Sequence, residues 1–242
     1  MRAILASLDL EIKSLRENLE VDTTVFLHPG RLWQGRLAAQ LVCLGRTGMG
    51  RQAMFVSAES CFRLLRPSAA LLVGFAGATT PLLHQGHVVC SQTIIDAKTR
   101  QEWTPAPEAL ARGLAACQAA GVEAQSGRAI TVDNPVATPH EKAFLGTEHQ
   151  ADTVDMEGSS FAAAATAAQI PWLMIRVVVD EMECPLPFGF SPLKRDGRLS
   201  LAKTAGYCLR HPRIFPQLSA LHVAATRGRG LLAQLSQAWL GA

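Results

Sequence analysis

The sequence predicts a three-layer α/β/α domain with a central mixed sheet, and three observations support this. Short apolar runs typical of strands alternate with segments of helical periodicity, in the order β-α-β-α-β-β-α-β-α-β. Residues 172–179, WLMIRVVV, form a run rich in β-branched residues, which is typical of a strand covered on both faces. The 242 residues, 48% of them apolar, suffice for a sizeable core.

Each element is predicted from its local pattern. Strands are expected at residues 2–6, in the second half of 36–45, and at 69–77, 86–96, 127–133 and 172–179. Helices are expected at residues 8–19, 49–65, 107–121 and along the alanine run that follows Glu157. We divide the chain into an α/β domain, residues 1–183, and a basic helical extension, residues 184–242, packed on the same domain.

Composition excludes several classes of protein. The net charge of +3 is too small to indicate nucleic acid as a partner. Six scattered cysteines, without CxxC or metal-like spacing, predict reduced thiols in a cytoplasmic protein and no bound metal. The N-terminus does not read as a signal peptide, and no run approaches the roughly 20 apolar residues of a membrane span.

The charge is concentrated at the C-terminal end. From Cys184 onward there are eight Lys and Arg residues against one Asp, a balance of +7, so the first 183 residues carry −4. One interpretation is a face that meets an anionic membrane surface, with an interfacial helix whose apolar side includes Leu218, Leu221, Ala225, Leu232, Leu235 and Trp239. The alternatives are a solvated helical face, a helix packed on the domain, or a subunit interface.

Polar and glycine-rich segments follow the predicted strands. Glu11 comes after the first strand, GRTGMGR after the second, GFAGAT after the third, Met156 and Glu157 before the alanine helix, and Asp180 after the last strand. Ligands of α/β sheets bind beyond the carboxyl ends of the strands. We therefore expect two glycine turns and several acids to converge there.

The first glycine turn, GRTGMGR, could bind a ligand in one of two ways. Residues 48–53, GMGRQA, match G-x-G-x-x-A, but the acid that a nicotinamide dinucleotide needs about 20 residues later is missing from 68–72, SAALL. An anion site at a helix start is the better interpretation, with Gly48, Gly50 and Arg51 close to a phosphate or nucleophile. A tight turn without a ligand is the remaining alternative.

Asp180 ends the last buried strand. Burial raises the pKa of a carboxyl group, which suits a general acid, although a cap of the following turn is an alternative role. Arg176 lies four residues earlier, on the same face of a regular strand. A buried arginine needs a carboxylate partner, and we expect Asp180 or Glu157. Asp155 is expected only to meet the positive end of the next helix.

Taken in order, these motifs resemble a known family. GMG after an early strand, VGFAGA, VDMEGSSFA and IRVVVD are similar to the nucleoside phosphorylase/nucleosidase superfamily that includes methylthioadenosine/S-adenosylhomocysteine nucleosidase. The resemblance covers roughly residues 4–181 and includes the spacing from Glu157 to Asp180. The stretch TVDNPVATPHEKAFL and the tail from Asp196 are similar to the hopanoid-biosynthesis-associated phosphorylase branch, which is linked to adenine removal from adenosylhopane.

The resemblance implies cleavage of an N-glycosidic bond in a purine nucleoside, small or lipid-linked, with no cofactor and inorganic phosphate as a candidate co-substrate. Asp180 would protonate the base and Glu11 would help activate water. Glu157 would hydrogen-bond the ribose, Met156 would pack against the sugar, and Gly77 and Ala76 would line the base pocket. From their positions near the strand ends, Phe75 and Arg176 are also expected to belong to the substrate-binding residues. The family also implies a homo-oligomer.

The sequence departs from the family pattern at several positions. Phe75 replaces a small hydroxyl residue, Val179 replaces Ser or Thr, and Leu72 stands where hexameric phosphorylases have a phosphate-binding arginine. Phosphorolysis and hydrolysis therefore both stay open, and so does a catalytically silent nucleoside-binding protein. Phe75 also predicts an apolar pocket that suits a lipid-like substrate.

Overall fold

The structure is a computed structural model that describes residues 1–186, 194–195, 198–199 and 215–242, with side chains of the last range described from residue 219. Within this part of the chain, ten strands form one mixed sheet. They are β1 Arg2–Ala6, β2 Glu20–Phe26, β3 Arg31–Leu37, β4 Gln40–Arg46, β5 Ala70–Ala78, β6 Val88–Asp96, β7 Glu102–Trp103, β8 Ala124–Thr131, β9 Thr153–Asp155 and β10 Trp172–Asp180. A separate small pair joins β11 Lys194–Arg195 to β12 Arg198–Leu199.

Helices cover both faces of the sheet, which confirms the predicted three layers. The helices are α1 Asp9–Glu17, α2 Arg51–Leu65, α3 Pro107–Ala119, α4 Pro139–His149, α5 Gly158–Ala167 and α6 Phe215–Gly241. One core cluster joins residues of α1, α3 and α6 to the sheet, among them Ile12, Cys117 and Trp239. A second cluster on the opposite face joins α2 and α5, through Phe62 and Phe161.

The order of the strands in the sheet is β10-β6-β8-β9-β5-β1-β4-β3-β2, and β7 pairs with β6. Because β10 also pairs with β5, the strands β5, β10, β6, β8 and β9 form a closed ring. The neighbours β1, β5 and β10 run parallel, so their carboxyl ends meet at one edge of the sheet. A bulge between Val178 and Asp180 interrupts the pairing of β10 with β5 at that edge.

The predicted order of elements omits five elements of the α/β region: β2, β3, β7, α4 and β9. The hairpin of β2 and β3 was not predicted, because β2 is largely exposed and EVDTTVF lacks the apolar run of a buried strand. Helix α4 was not predicted either. It has little amphipathic pattern, and its start is instead marked by Pro139 and by a capping box between Thr138 and Glu141.

The second half of α6 packs on the α/β domain. Leu232, Leu235 and Trp239 are buried in the core cluster that also contains α1 and α3. Arg2 fixes the end of the helix by donating two hydrogen bonds of 2.7 Å to the carbonyl oxygens of Trp239 and Leu240. This half of the helix therefore does not present its apolar side to a membrane.

Other predictions about the tail fall outside the described residues. These include Lys203, Arg210 and Arg213, and the side chains of Lys194, Arg195, Arg198 and Leu218. Among the helices of the described residues, none combines the length and the apolar character needed to cross a membrane. The five cysteines in the described ranges are free thiols.

Candidate active site

A cavity of about 200 Å³ lies at the carboxyl ends of β1, β5 and β10. Three acids from different parts of the chain line it: Glu11 from α1, Glu157 from the turn before α5, and Asp180 from the end of β10. A fourth acid, Asp155 of β9, also lines it. The remaining wall is largely apolar and consists of Ser7, Leu8, Met49, Phe75, Ala76, Gly77, Val132, Pro135, Val136, Val154, Met156, Val179, Leu186 and Leu221.

Arg176 lies behind the cavity and forms a fully buried ion pair with Asp155, which lines it. Arg176 donates from Nε and Nη2 to Oδ2 of Asp155, at 3.0 and 2.5 Å. The expectation that Arg176 pairs with Asp180 or Glu157 is therefore wrong. For Asp180 the reason is the bulge before it, because past a bulge the side chains of a strand no longer alternate regularly between its faces. Glu157 accepts instead from the amide of Gly50.

Glu11 is held rigidly by three donors. Ser7 Oγ and the Leu8 amide donate to Oε2 at 3.0 and 2.8 Å, and the Phe75 amide donates to Oε1 at 2.9 Å. Burial raises the pKa of Glu11, while the charge of Arg176 and these hydrogen bonds oppose the rise. Gly74 allows this close arrangement, since a Cβ there would stand 2.7 Å from Oε1 of Glu11.

Glu157 accepts a hydrogen bond of 2.7 Å from the amide of Gly50, at the N-terminus of α2. Gly50 has a φ of 88°, in the region that favours glycine. Burial raises the pKa of Glu157 to about 7, against the opposing charge of Arg176, and the neighbouring Asp155 adds to the rise. A carboxyl group with this pKa exchanges its proton near neutral pH.

Asp180 is paired with a lysine that sequence analysis did not identify. Lys142 of α4 is completely buried and donates from Nζ to Oδ1 of Asp180 at 2.7 Å. Burial raises the pKa of Asp180, and the hydrogen bond and charge of Lys142 oppose the rise. Nothing in HEKAFL distinguishes this lysine from an exposed helical residue, so only the fold reveals it.

The glycine loop lies beside the cavity, but its arginines point elsewhere. Met49 lines the cavity and Gly50 donates to Glu157, while Arg51 forms ion pairs with Asp96 and, at 2.5 Å, with Asp133. Arg46 lies 3.6 Å from Asp9. The loop therefore presents backbone and Met49 to the cavity, with its guanidinium groups engaged by other acids.

The structure thus brings most of the sequence-predicted residues into one place. Seven of them line the cavity, namely Glu11, Phe75, Ala76, Gly77, Met156, Glu157 and Asp180. Arg176 lies behind it, and the loop residues Gly48, Gly50 and Arg51 are not among its lining residues. Their catalytic and binding roles stay predictions. Sequence analysis did not identify Lys142 or the pairing of Asp155 with Arg176. A signal for the pairing was available, because a buried arginine needs a carboxylate partner and Asp155 lies two residues before Glu157.

The layered fold with acids at these strand ends is that of nucleoside phosphorylases and nucleosidases. The family model described as "Phosphorylase superfamily" matches residues 2–189, and the chain belongs to this family. A curated relative, the 5′-methylthioadenosine/S-adenosylhomocysteine nucleosidase of Aeromonas salmonicida, is 30% identical over 86 residues. That match spans 36% of this chain and 37% of the relative.

Solved structures share the fold over nearly the whole chain. The native futalosine hydrolase of Helicobacter pylori has a TM-score of 0.78 at 14% identity, covering 99% of this chain and 97% of that one. The 5′-methylthioadenosine/S-adenosylhomocysteine nucleosidase of Neisseria meningitidis, in complex with methylthio-immucillin-A, has a TM-score of 0.75 at 17% identity, covering 97% of both chains. At such identities the likeness concerns the fold.

Proposed function

We propose that this protein cleaves the N-glycosidic bond of an adenine nucleoside. The observation that carries the proposal is the convergence of Glu11, Glu157 and Asp180 on one cavity from three separate elements. Family membership and the names of the similar proteins, which include nucleosidases and a futalosine hydrolase, support the same reaction class.

The three acids meet the three demands of the reaction. Breaking the bond leaves positive charge on the sugar and an electron pair on the base, as in glycoside hydrolysis. Asp180 gives its proton to a ring nitrogen of the leaving base. Ionised Glu157 hydrogen-bonds the ribose hydroxyls and stabilises the cationic sugar, and Glu11 accepts a proton from the water that attacks the anomeric carbon.

Water is the nucleophile that we favour over phosphate. Among the described residues that line the cavity there is no Lys, Arg or His. Arg46 and Arg51 face Asp9, Asp96 and Asp133, and Glu157 already occupies the Gly50 amide at the start of α2. A phosphate dianion would therefore meet the carboxylates of Glu11 and Glu157 and few donors, an arrangement that repels it.

The substrate that we propose carries an apolar group on its ribose, as an adenosyl-hopane-like lipid does. Support comes from the apolar wall, to which Met49, Phe75, Val136, Leu186 and Leu221 contribute, and from the resemblance of two segments to the hopanoid-associated branch. Methylthioadenosine, with its small apolar substituent, is the alternative substrate.

A single assay tests the reaction and the substrate. The protein is incubated with adenosine, methylthioadenosine and an adenosyl lipid, each with and without phosphate, while adenine, free sugar and sugar 1-phosphate are measured. We expect adenine and free sugar, fastest from the adenosyl lipid and independent of phosphate. Sugar 1-phosphate as the main product would overturn hydrolysis, and no adenine from any substrate would favour a silent binding protein.

A further inference from the structure

Lys142 is an unusual residue because its ammonium group is fully buried and fully hydrogen-bonded. Besides Oδ1 of Asp180, Nζ donates to the carbonyl oxygens of Glu181 at 2.8 Å and Cys184 at 2.7 Å. An ammonium group has three protons, so every one of them has an acceptor. Burying a charged group costs free energy, and this cost points to a specific role for the lysine.

The contact distinguishes the two oxygens of Asp180. Oδ1 accepts from Lys142, whereas Oδ2 lies over Gly77, where a Cβ would stand 3.2 Å from it. Gly77 and Asp180 both line the cavity. Oδ2 is therefore the oxygen that faces a bound nucleoside.

Few other charges act on this carboxyl group. Glu181, the next residue, is the second titratable group beside it, and its side chain accepts from the Gln85 amide at 3.0 Å and lies 3.7 Å from His84. From β5, the residue beside Oδ2 is the uncharged Gly77. Lys142 is thus the positive charge that Asp180 meets directly.

We propose that Lys142 is a positioning residue for Asp180, fixing Oδ1 so that Oδ2 delivers the proton to the leaving base. This inference rests on the proposed function. When the C–N bond breaks, its electron pair stays on the base, the Oδ2 proton moves to a ring nitrogen, and the new carboxylate remains beside the ammonium. A positive charge there stabilises the product of the proton transfer, so it strengthens the acid.

The test replaces Lys142 by Met, which keeps the length of the side chain and removes its charge. We expect kcat for adenine release to fall roughly 10- to 100-fold, as a part of the ~10²–10⁴-fold that general acid catalysis supplies, with a smaller change in KM. The alkaline limb of the pH profile should move to higher pH, because the carboxyl group holds its proton longer without the lysine. Lys13→Met, the same change at an exposed i,i+4 pair, is the control.

Two further experiments distinguish this role from a purely structural role of Lys142 in fixing residues 181–184. In a double-mutant cycle, adding Lys142→Met to Asp180→Asn should cause no further loss of kcat, because the lysine acts through the acid. A 4-nitrophenyl riboside, whose leaving group needs no proton, should be cleaved at nearly the wild-type rate by Lys142→Met. Additive losses, or an equal loss on the nitrophenyl substrate, would overturn the proposal.

The inference can fail separately from the proposed function. Circular dichroism and thermal unfolding check each variant, and Lys142→Gln, which keeps a donor without the charge, takes the place of a Met variant that does not fold. Carbon-13 NMR titration of Asp180 reports without turnover, and we expect a higher pKa in the variant than in the wild type. An unchanged titration would contradict the role of Lys142, whereas a wild-type protein that cleaves no nucleoside would contradict only the reaction.

Discussion

Arg176 donates two hydrogen bonds to a single oxygen of Asp155, and both side chains are inaccessible to solvent. The other oxygen of Asp155 accepts from Thr131 Oγ1 at 2.8 Å and from the amides of Glu157 and Gly158 at 3.3 and 3.1 Å. Through this acid, the arginine in the middle of β10 fixes the turn that carries Glu157. The ion pair therefore links the core of the sheet to the position of a site carboxylate.

Removing Arg176 should be strongly destabilising. Arg176→Met leaves Asp155 charged and buried, and breaking a buried pair in this way costs about 3–5 kcal/mol. Urea unfolding followed by circular dichroism measures the loss. The control is Arg100→Met, which removes the exposed pair with Glu148 and should cost less than about 1 kcal/mol. Equal losses of unfolding free energy in the two variants would show that the buried pair stabilises the protein no more than the exposed pair does.

The residues of the site show which features could be predicted from the sequence. Strand ends can be predicted from apolar runs and from the polar residues that follow them. Glu11, Glu157 and Asp180 were predicted on this basis to converge, and all three line one cavity. The partner of Arg176 could not be predicted, because the bulge in β10 takes Asp180 out of the regular alternation and the actual partner, Asp155, lies on a different strand. Alternation along a strand predicts a face only where the pairing is regular.

Lys142 marks a second limit of sequence reasoning. Helix α4 has a weak amphipathic pattern, and a lysine on it is ordinarily exposed. Its burial follows from the packing of α4 against the segment after β10, a contact between residues far apart in the sequence. Such contacts depend on tertiary structure and leave no local pattern.

The titration of Glu157 should make stability depend on pH. Its pKa is raised from an ordinary value of 4.5 to about 7, so the folded protein binds the proton more tightly than the unfolded chain does. This contribution is fully present below pH 4.5 and is lost as the pH rises to 7. At 1.36 kcal/mol for each pH unit, the loss is at most about 3.4 kcal/mol.

Glu157→Gln isolates that contribution, because glutamine does not titrate whereas the raised pKa of Glu11 affects both proteins. We expect the variant to gain stability relative to the wild type as the pH rises from 5 to 8. Guanidinium unfolding of ligand-free protein at both pH values measures the difference. A constant difference in unfolding free energy between the two proteins would mean that Glu157 titrates normally.

Asp180 should be needed for turnover. Asp180→Asn keeps the shape of the side chain and removes the transferable proton, so we expect kcat for adenine release to fall by ~10²–10⁴-fold. Initial rates of adenine formation measure the change, with thermal unfolding as the check on the fold. Asp22→Asn, on the exposed face of β2, should keep full activity. A rate within threefold of wild type, about 0.7 kcal/mol in barrier, would exclude Asp180 as the acid.

The apolar wall makes a prediction about substrate preference. Leu221 of α6 lines the cavity and is partly buried, so it is placed to contact an apolar substituent on the ribose. Leu221→Ser should lower kcat/KM for an adenosyl lipid by roughly 10-fold, since losing an apolar contact in a pocket costs about 1–3 kcal/mol. Adenosine has no such substituent, and its kcat/KM should change by less than about twofold.

Val223→Ser is the matched control, because Val223 lies two residues further along the same helix, is exposed, and does not line the cavity. It should leave the ratio of the two substrates unchanged. If Leu221→Ser lowers the rates for both substrates equally, the leucine supports the fold of the site and does not select the substituent. If neither rate changes, the apolar group of the substrate lies along another wall, of which Phe75 and Val136 are the next residues to replace.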